Sequence, residues 1–208
     1  MNHDYSIEQT RLLAQREAIT LTESHAVWRL ESGAVRIDST VNGDTETLVR
    51  LAMPGDVLGI EGMLGVKDSF TVRAITPSRL VRLDMTGDAM THVLKHAVVT
   101  GYQRSRDMVT LRTGSAEERV KSLLFMLVSP ERGFGHLSPT CALPTLGDIA
   151  TIVHAAPETV CRVLAALRQA SFLQDCSPVT AKHRKLELRT HRLLGRGAAK
   201  TNPVRLTV

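Results

Sequence analysis

Residues 145–170 read Thr145-Leu146-Gly147-Asp148-Ile149-Ala150-Thr151-Ile152-Val153-His154-Ala155-Ala156-Pro157-Glu158-Thr159-Val160-Cys161-Arg162-Val163-Leu164-Ala165-Ala166-Leu167-Arg168-Gln169-Ala170. Thr145 with Asp148 can cap a short helix that buries Leu146, Ile149 and Ile152. His154-Ala155-Ala156 then forms a tight turn. Pro157 suits the first position of a second helix, where its missing N–H is no loss. That helix carries Val160, Val163, Leu164 and Leu167 at the i, i+3, i+4, i+7 spacing of a buried face. Glu158 and Arg162 lie one turn apart on the other face. In a helix-turn-helix the second helix enters the major groove and reads bases with residues near its N-terminus. Arginine donates two hydrogen bonds to guanine O6 and N7, and a carboxylate accepts one from cytosine N4. Taken alone, Glu158 and Arg162 would be a surface ion pair worth about 0.3–0.5 kcal/mol. The two-helix pattern and its basic surroundings favour DNA.

Those surroundings are lopsided. Residues 1–114 hold 13 Lys+Arg against 14 Asp+Glu, a net of −1, whereas residues 115–208 hold 13 against 7, a net of +6. A basic back half suits a polyanionic partner. Downstream, Phe172-Leu173 leads through Cys176-Ser177-Pro178 to Lys182-His183-Arg184-Lys185 and the strand-like Leu186-Glu187-Leu188. This reads as a β-hairpin wing whose Lys182, Arg184 and Lys185 meet phosphates, contacts that position without specifying. Upstream, Ser115-Ala116-Glu117-Glu118 matches a capping box, so a helix starts at Ala116 and stops before Pro130, burying Val120, Leu123, Leu124 and Leu127. Before it, Met90, Leu94, Ala97, Gly101, Arg104, Met108 and Leu111 fall at alternating steps of four and three, a stripe that predicts a long helix with a dimer seam. From Ala26 to Leu83 the texture is β, with Val35 and Ile37 alternating about Arg36, the hairpin signal Asn42-Gly43, and turns at Pro54-Gly55-Asp56 and Pro77-Ser78. Residues 1–22 carry no clear pattern. A small antiparallel barrel or sandwich is expected.

This order of parts resembles the CRP/FNR superfamily of transcription regulators, over roughly residues 26–189. Glu158-Thr159-Val160-Cys161-Arg162-Val163-Leu164 resembles its recognition-helix pattern E-T-[VI]-x-R-[VIL]-L. Gly33-Ala34-Val35 and Pro54-Gly55-Asp56-Val57-Leu58-Gly59 resemble its β-roll turns G-x-V and x-G-D-x-x-G. The spacing around Arg119–Leu127 is most similar to the cyanobacterial nitrogen-control regulator within that family. The resemblance implies an α+β chain: an antiparallel β-roll sensor domain over 1–86, a dimerisation helix over 87–114, a winged helix-turn-helix over 115–190 and a basic tail over 191–208. It implies a homodimer on an inverted-repeat operator, with Glu158 and Arg162 on bases, Cys161 beside them, and Thr145 and Thr159 on phosphates. Pro157 stands where the cyclic-AMP receptor protein has a base-reading arginine, so one base contact is missing. Double-stranded DNA, a second copy of the chain and RNA polymerase are the implied partners, the last fitting an activator.

The sensor half departs from the family. Ile60 intervenes between Gly59 and Glu61, and Asp68 precedes Ser69 where cyclic-nucleotide binders have a phosphate-gripping arginine. Gly59, Glu61, Ser69 and Arg73 are the candidate effector-pocket residues, and cyclic AMP is not the expected ligand. The short N-terminal lead suggests that the first strands of the roll are lost or replaced. Thr100 and Ser105 fall where the nitrogen-control regulator binds 2-oxoglutarate, without the expected charges. Cys141, Cys161 and Cys176 have no metal-type spacing and fall short of the four thiolates of a usual iron–sulfur site, so no cofactor or metal is expected. A cupin-like enzyme is the competing class, but it needs a His/carboxylate cluster, and no histidine lies between Ala26 and Leu83. No catalytic residue is therefore assigned. A regulator without an effector, controlled by its abundance, is the remaining alternative. No apolar run approaches the roughly 20 residues that span a bilayer, and the N-terminus lacks signal-peptide character; the expected location is cytoplasmic.

Overall fold

The computed structural model describes residues 9–21, 26–41, 45–66, 70–128, 140–170, 172–176, 185–188 and 204–207. The chain divides into two compact units, Met1–Ser105 and Arg106–Val208. No single helix among the described residues is long and apolar enough to cross a membrane.

The first unit is built from β1 (Thr10–Leu13), β2 (Ala18–Thr20), β3 (Trp28–Ser32), β4 (Val35–Val41), β5 (Thr45–Ala52), β6 (Val57–Leu58), the short helix α1 (Ile60–Met63), β7 (Phe70–Ala74) and β8 (Ser78–Arg82). They form two four-stranded antiparallel sheets, β1-β8-β3-β6 and β2-β7-β4-β5. Alternation decides which side chains meet between them. Leu13, Leu30, Leu58 and Leu80 come from one sheet, and Ile19, Val35, Ile37, Ala52, Val72 and Ala74 from the other. The core is aliphatic, as a chain with only 3% aromatics requires, with Trp28 and Phe70 packed against it. β4 and β5 pair from Val35↔Ala52 to Val41↔Thr45 on either side of Asn42-Gly43. Gly33 has φ +84°, and a Cβ there would collide with the Pro77 carbonyl oxygen and Ser78.

The first strands of the roll are present, contrary to the expectation of their loss. β1 pairs with β8 from Thr10↔Val81 to Leu13↔Ser78, and β2 with β7 from Ala18↔Arg73 to Thr20↔Thr71. At four and three residues each, they are too short for alternation to stand out.

The long helix α2 runs from Gly87 to Arg112, 26 residues. The expected seam is partly spent inside the chain. Arg104 is 2% exposed and grips Asp56, 1% exposed, through Nε–Oδ2 at 2.5 Å and Nη2–Oδ1 at 3.2 Å. Asp56 Oδ2 also accepts the Met53 N–H at 2.8 Å, and His96 Nε2 lies 2.9 Å from the Gly55 carbonyl. The Pro54-Gly55-Asp56 turn is thus tied to α2. Leu111 is also fully buried. The apolar side chains that α2 leaves open are Val98 (73%), Val99, Tyr102 (68%) and Val109 (62%).

The second unit holds α3 (Ala116–Val128), β9 (Thr140–Ala142), α4 (Leu146–Ile152), α5 (Pro157–Gln169), β10 (Leu173–Cys176), β11 (Lys185–Leu188) and β12 (Val204–Thr207). The capping box forms: Ser115 Oγ accepts the Glu118 N–H, and Glu118 Oε2 accepts the Ser115 N–H at 2.8 Å. That accepted bond holds the Glu118 carboxyl below its ordinary pKa. Val120, Leu123, Leu124 and Leu127 are buried as expected, in a core with Ile149, Ile152, Val160, Leu164, Leu167 and Phe172. Phe125 meets Phe172 edge to face, centroids 5.9 Å apart. The strands order as β10-β11-β12-β9. The segment read as a basic tail therefore supplies a strand of the wing sheet, antiparallel to β11 and parallel to β9.

Removing one partner of a buried ion pair leaves an uncompensated charge, so Arg104→Met should lower unfolding free energy by about 3 kcal/mol or more. Urea titration checks this. Adding Asp56→Asn should recover part of the loss; a single variant as stable as wild type would contradict the account.

Candidate nucleic-acid interface

Helix α4 begins where Thr145, extended at φ −64°, ψ 157°, turns its side chain onto the helix end. Its Oγ1 accepts the Asp148 N–H at 3.2 Å and donates to Asp148 Oδ2 at 2.6 Å. The one hydroxyl proton of Thr145 is therefore committed to the cap. Ile149 and Ile152 are buried as expected, whereas Leu146 is 39% exposed. In the first turn of a helix this short, Leu146 lies outside the stripe that Ile149 and Ile152 share.

The turn is compact and strained. His154 adopts φ +50°, a left-handed conformation, and the axis bends by 106° between α4 and α5. That angle lies within the range of helix-turn-helix pairs. A helix leaves its final carbonyls without intrahelical donors, and here each one is accounted for. The Ile149, Ala150 and Thr151 carbonyls accept the N–H groups of Val153, Ala155 and His154. The Ile152 carbonyl accepts Arg112 Nε at 3.3 Å. The carbonyls of Val153 and His154 both accept Arg119 Nη1, at 2.7 and 3.2 Å. Two guanidinium groups thus sit at the negative end of α4, where cations are favoured.

Helix α5 starts at Pro157, behind Ala156 at φ −63°, ψ 141°. Val160, Leu164 and Leu167 are buried, and Val163 and Thr159 are half-buried. Glu158, Cys161, Arg162, Ala165 and Gln169 form the exposed stripe. Glu158 and Arg162 are spaced for an i,i+4 ion pair, yet neither makes an ion pair or hydrogen bond among the described residues. Both residues are exposed. β10 and β11 form the expected hairpin, with Cys176 opposite Lys185 at the end nearest its connection. Lys182 and Arg184 lie outside the described residues, as does Ser69 of the effector set.

Of the remaining effector candidates, Gly59 and Glu61 lie at the start of α1 and Arg73 lies in β7. Gly59 has φ +88°, and a Cβ there would lie 2.6 Å from the Ala26 carbonyl oxygen. Glu61 accepts from Arg50 at 3.1 Å. Arg73 alternates with buried Val72 and Ala74, so it stands on the outer face of its sheet. There it bonds Glu46 at 2.9 Å and, with Arg36, flanks the buried Asp38 carboxylate. Arg50 is the cation that the sequence reading missed. It sits across from core-facing Ile37 beside a bulge at Val49; the alternation that sends charges outward breaks there.

Residues 15–94 match the family described as Cyclic nucleotide-binding domain. The transcriptional regulator LdrP of Thermus thermophilus is 27% identical over 167 residues, 77% of this chain and 85% of its own. Among solved structures, TTHB099, a CRP-family transcriptional regulator also from Thermus thermophilus, has a TM-score of 0.60 at 24% identity, over 80% of this chain and 88% of that one. FixK2 from Bradyrhizobium japonicum has a TM-score of 0.61 at 21% identity, over 88% and 93%. The c-di-GMP responsive global regulator CLP of Xanthomonas campestris has a TM-score of 0.54 at 17% identity, over 82% and 91%. Residues 15–94 thus match a cyclic nucleotide-binding domain, and a β-roll followed along the chain by a winged helix-turn-helix is the fold shared with these solved regulators.

A left-handed non-glycine residue costs about 1–2 kcal/mol, part of which glycine gives back in chain entropy. His154→Gly should therefore raise stability by about 0.5–1 kcal/mol with unchanged helical content, as read by thermal melting followed by circular dichroism. A lowered melting temperature would mean that the imidazole holds the turn.

Proposed function

We propose that this chain is a homodimeric, sequence-specific regulator that reads an inverted-repeat operator with α5. The observation that carries this reading is the exposed presentation of Glu158 and Arg162, without an ion pair among the described residues, on a helix bent 106° from α4. Thr159, Cys161 and the wing residues Lys182, Arg184 and Lys185 flank those two on DNA. Thr145 contributes by capping α4. RNA polymerase is the further partner that fits an activator, and the bacterial cytoplasm the place where such a regulator meets DNA.

The dimer seam follows the exposed side of α2. Val98, Tyr102, Ser105 and Val109 are all exposed and succeed one another at steps of four, three and four, the spacing of a two-stranded coiled coil. An inverted repeat asks such a dimer to bring its two α5 helices to half-sites one DNA turn apart, about 34–36 Å.

For the effector, similarity to CLP shows that a chain of this fold can be c-di-GMP responsive, so the fold leaves the ligand open. Cyclic AMP is disfavoured. A buried phosphate needs a fixed cation, yet Arg73 faces outward and Arg50 is already neutralised by Glu61. That internal neutralisation favours, as a second reading, a regulator with no effector and no cofactor, set by abundance.

Three outcomes are expected. Arg162→Ala should cost about 1–3 kcal/mol of operator affinity and relax preference at one G·C pair, while Lys185→Ala weakens all sequences alike. Competition binding with single-base operator variants decides, and unchanged preference in Arg162→Ala would remove α5 from the interface. Tyr102→Glu should turn the dimer into monomers at micromolar concentration in sedimentation, because it places charge in an apolar seam; a wild-type monomer would contradict the assembly. Calorimetry with cyclic AMP should show neither heat nor any gain in operator affinity, and tight coupled binding would refute the sensor reading.

A further inference from the structure

The two arginines behind the turn carry a role beyond stabilising it. We infer that Arg119, supported by Arg112, is a positioning residue for operator binding: it clamps the carbonyl end of α4 so that α5 leaves the turn at one fixed angle. The inference rests on the operator reading of α5.

The geometry argues for a clamp rather than an incidental contact. Arg119 makes no ion pair among the described residues, and its Nε is buried without a hydrogen-bond partner. A guanidinium with an orphaned N–H is costly unless its other donors are well used. Those donors go to the carbonyls of Val153 and His154, the residue before the left-handed position and that residue itself. Arg112, the last residue of α2, takes the preceding carbonyl, Ile152. Three consecutive carbonyls are thereby held from α2 and α3. Only Ala155 and Ala156 separate the clamped peptides from Pro157. Neither has a polar side chain, and α5 has no side-chain cap of its own. The direction of the recognition helix is therefore set by what holds His154. Neither arginine needs to touch DNA for this.

The test uses full-length Arg119→Met, Arg119→Lys and Arg112→Met proteins. Each is titrated with a selected operator duplex and with an unrelated duplex over a series of salt concentrations. Amide hydrogen exchange of the free proteins is followed alongside. Arg119→Met should bind operator about tenfold more weakly, the scale of a lost charged hydrogen bond, with Arg112→Met affected less and Arg119→Lys partly restored. The slope of log affinity on log salt should stay at the wild-type value. Exchange should quicken over residues 155–160 while Leu123 and Leu124 in α3 stay protected. A salt slope lower by about one would make Arg119 a phosphate contact and overturn the role. So would exchange that quickens equally throughout α3, the mark of a merely destabilised unit. A wild-type protein that fails to tell the two duplexes apart overturns the operator reading and this role together. A discriminating wild type matched by Arg119→Met overturns this role alone.

Discussion

The contact between the Arg104 guanidinium and the Asp56 carboxylate decides which way the long helix faces. Both groups are out of water, and a buried carboxylate that also holds the Met53 N–H leaves its cation little freedom to swing. With Arg104 fixed, the helical period assigns every other residue of α2 a side. Met90, Ala97, Met108 and Leu111 share Arg104's side, while Val98, Tyr102 and Val109 are turned away and left open to solvent. A stripe of apolar side chains exposed along a helix calls for a partner, and a second copy would offer matched spacing. The buried pair thus sets the face on which the proposed dimer forms. Its cost in desolvation is repaid in specificity of orientation.

The same logic recurs at smaller scale in the second unit. Hydrophobic burial of Val160, Leu164 and Leu167 decides which face of α5 is hidden, and so which residues are offered outward. The angle at which the helix leaves the turn depends on more than that burial. It also involves the backbone, through one left-handed residue and the carbonyls that two arginines hold. Base reading requires both, since hydrogen bonds to base edges tolerate little error in position.

Much of this was legible in the sequence because it is local. Alternation about Arg36, the Asn42-Gly43 signal, the Ser115–Glu118 box and the i, i+3, i+4, i+7 face of α5 each specify themselves within a dozen residues, and the structure reproduces them. What stayed hidden depends on distant partners. Arg104 falls in the apolar stripe by spacing alone, and periodicity knows nothing of Asp56, 48 residues away. Arg112 and Arg119 bond backbone carbonyls, which leave no mark in a sequence. β12 pairs in parallel with β9, a non-local match that four residues beyond a basic stretch do not announce. Of the candidate site, Glu158 and Arg162 were readable from helix geometry. Thr145 was readable as a cap. The placement of Arg50 was not, because a bulge at Val49 sets it across from core-facing Ile37.

The central claim is that a two-fold pair of α5 helices reads DNA. It is tested most directly by selecting bound duplexes from a random-sequence pool with the purified full-length protein and sequencing what survives. An enriched inverted repeat is expected, with half-site centres about 10–10.5 base pairs apart and a G·C pair in each half whose enrichment disappears in Arg162→Ala. A pool that shows no enrichment, or enriches a single unrepeated site indifferent to Arg162, would contradict the account.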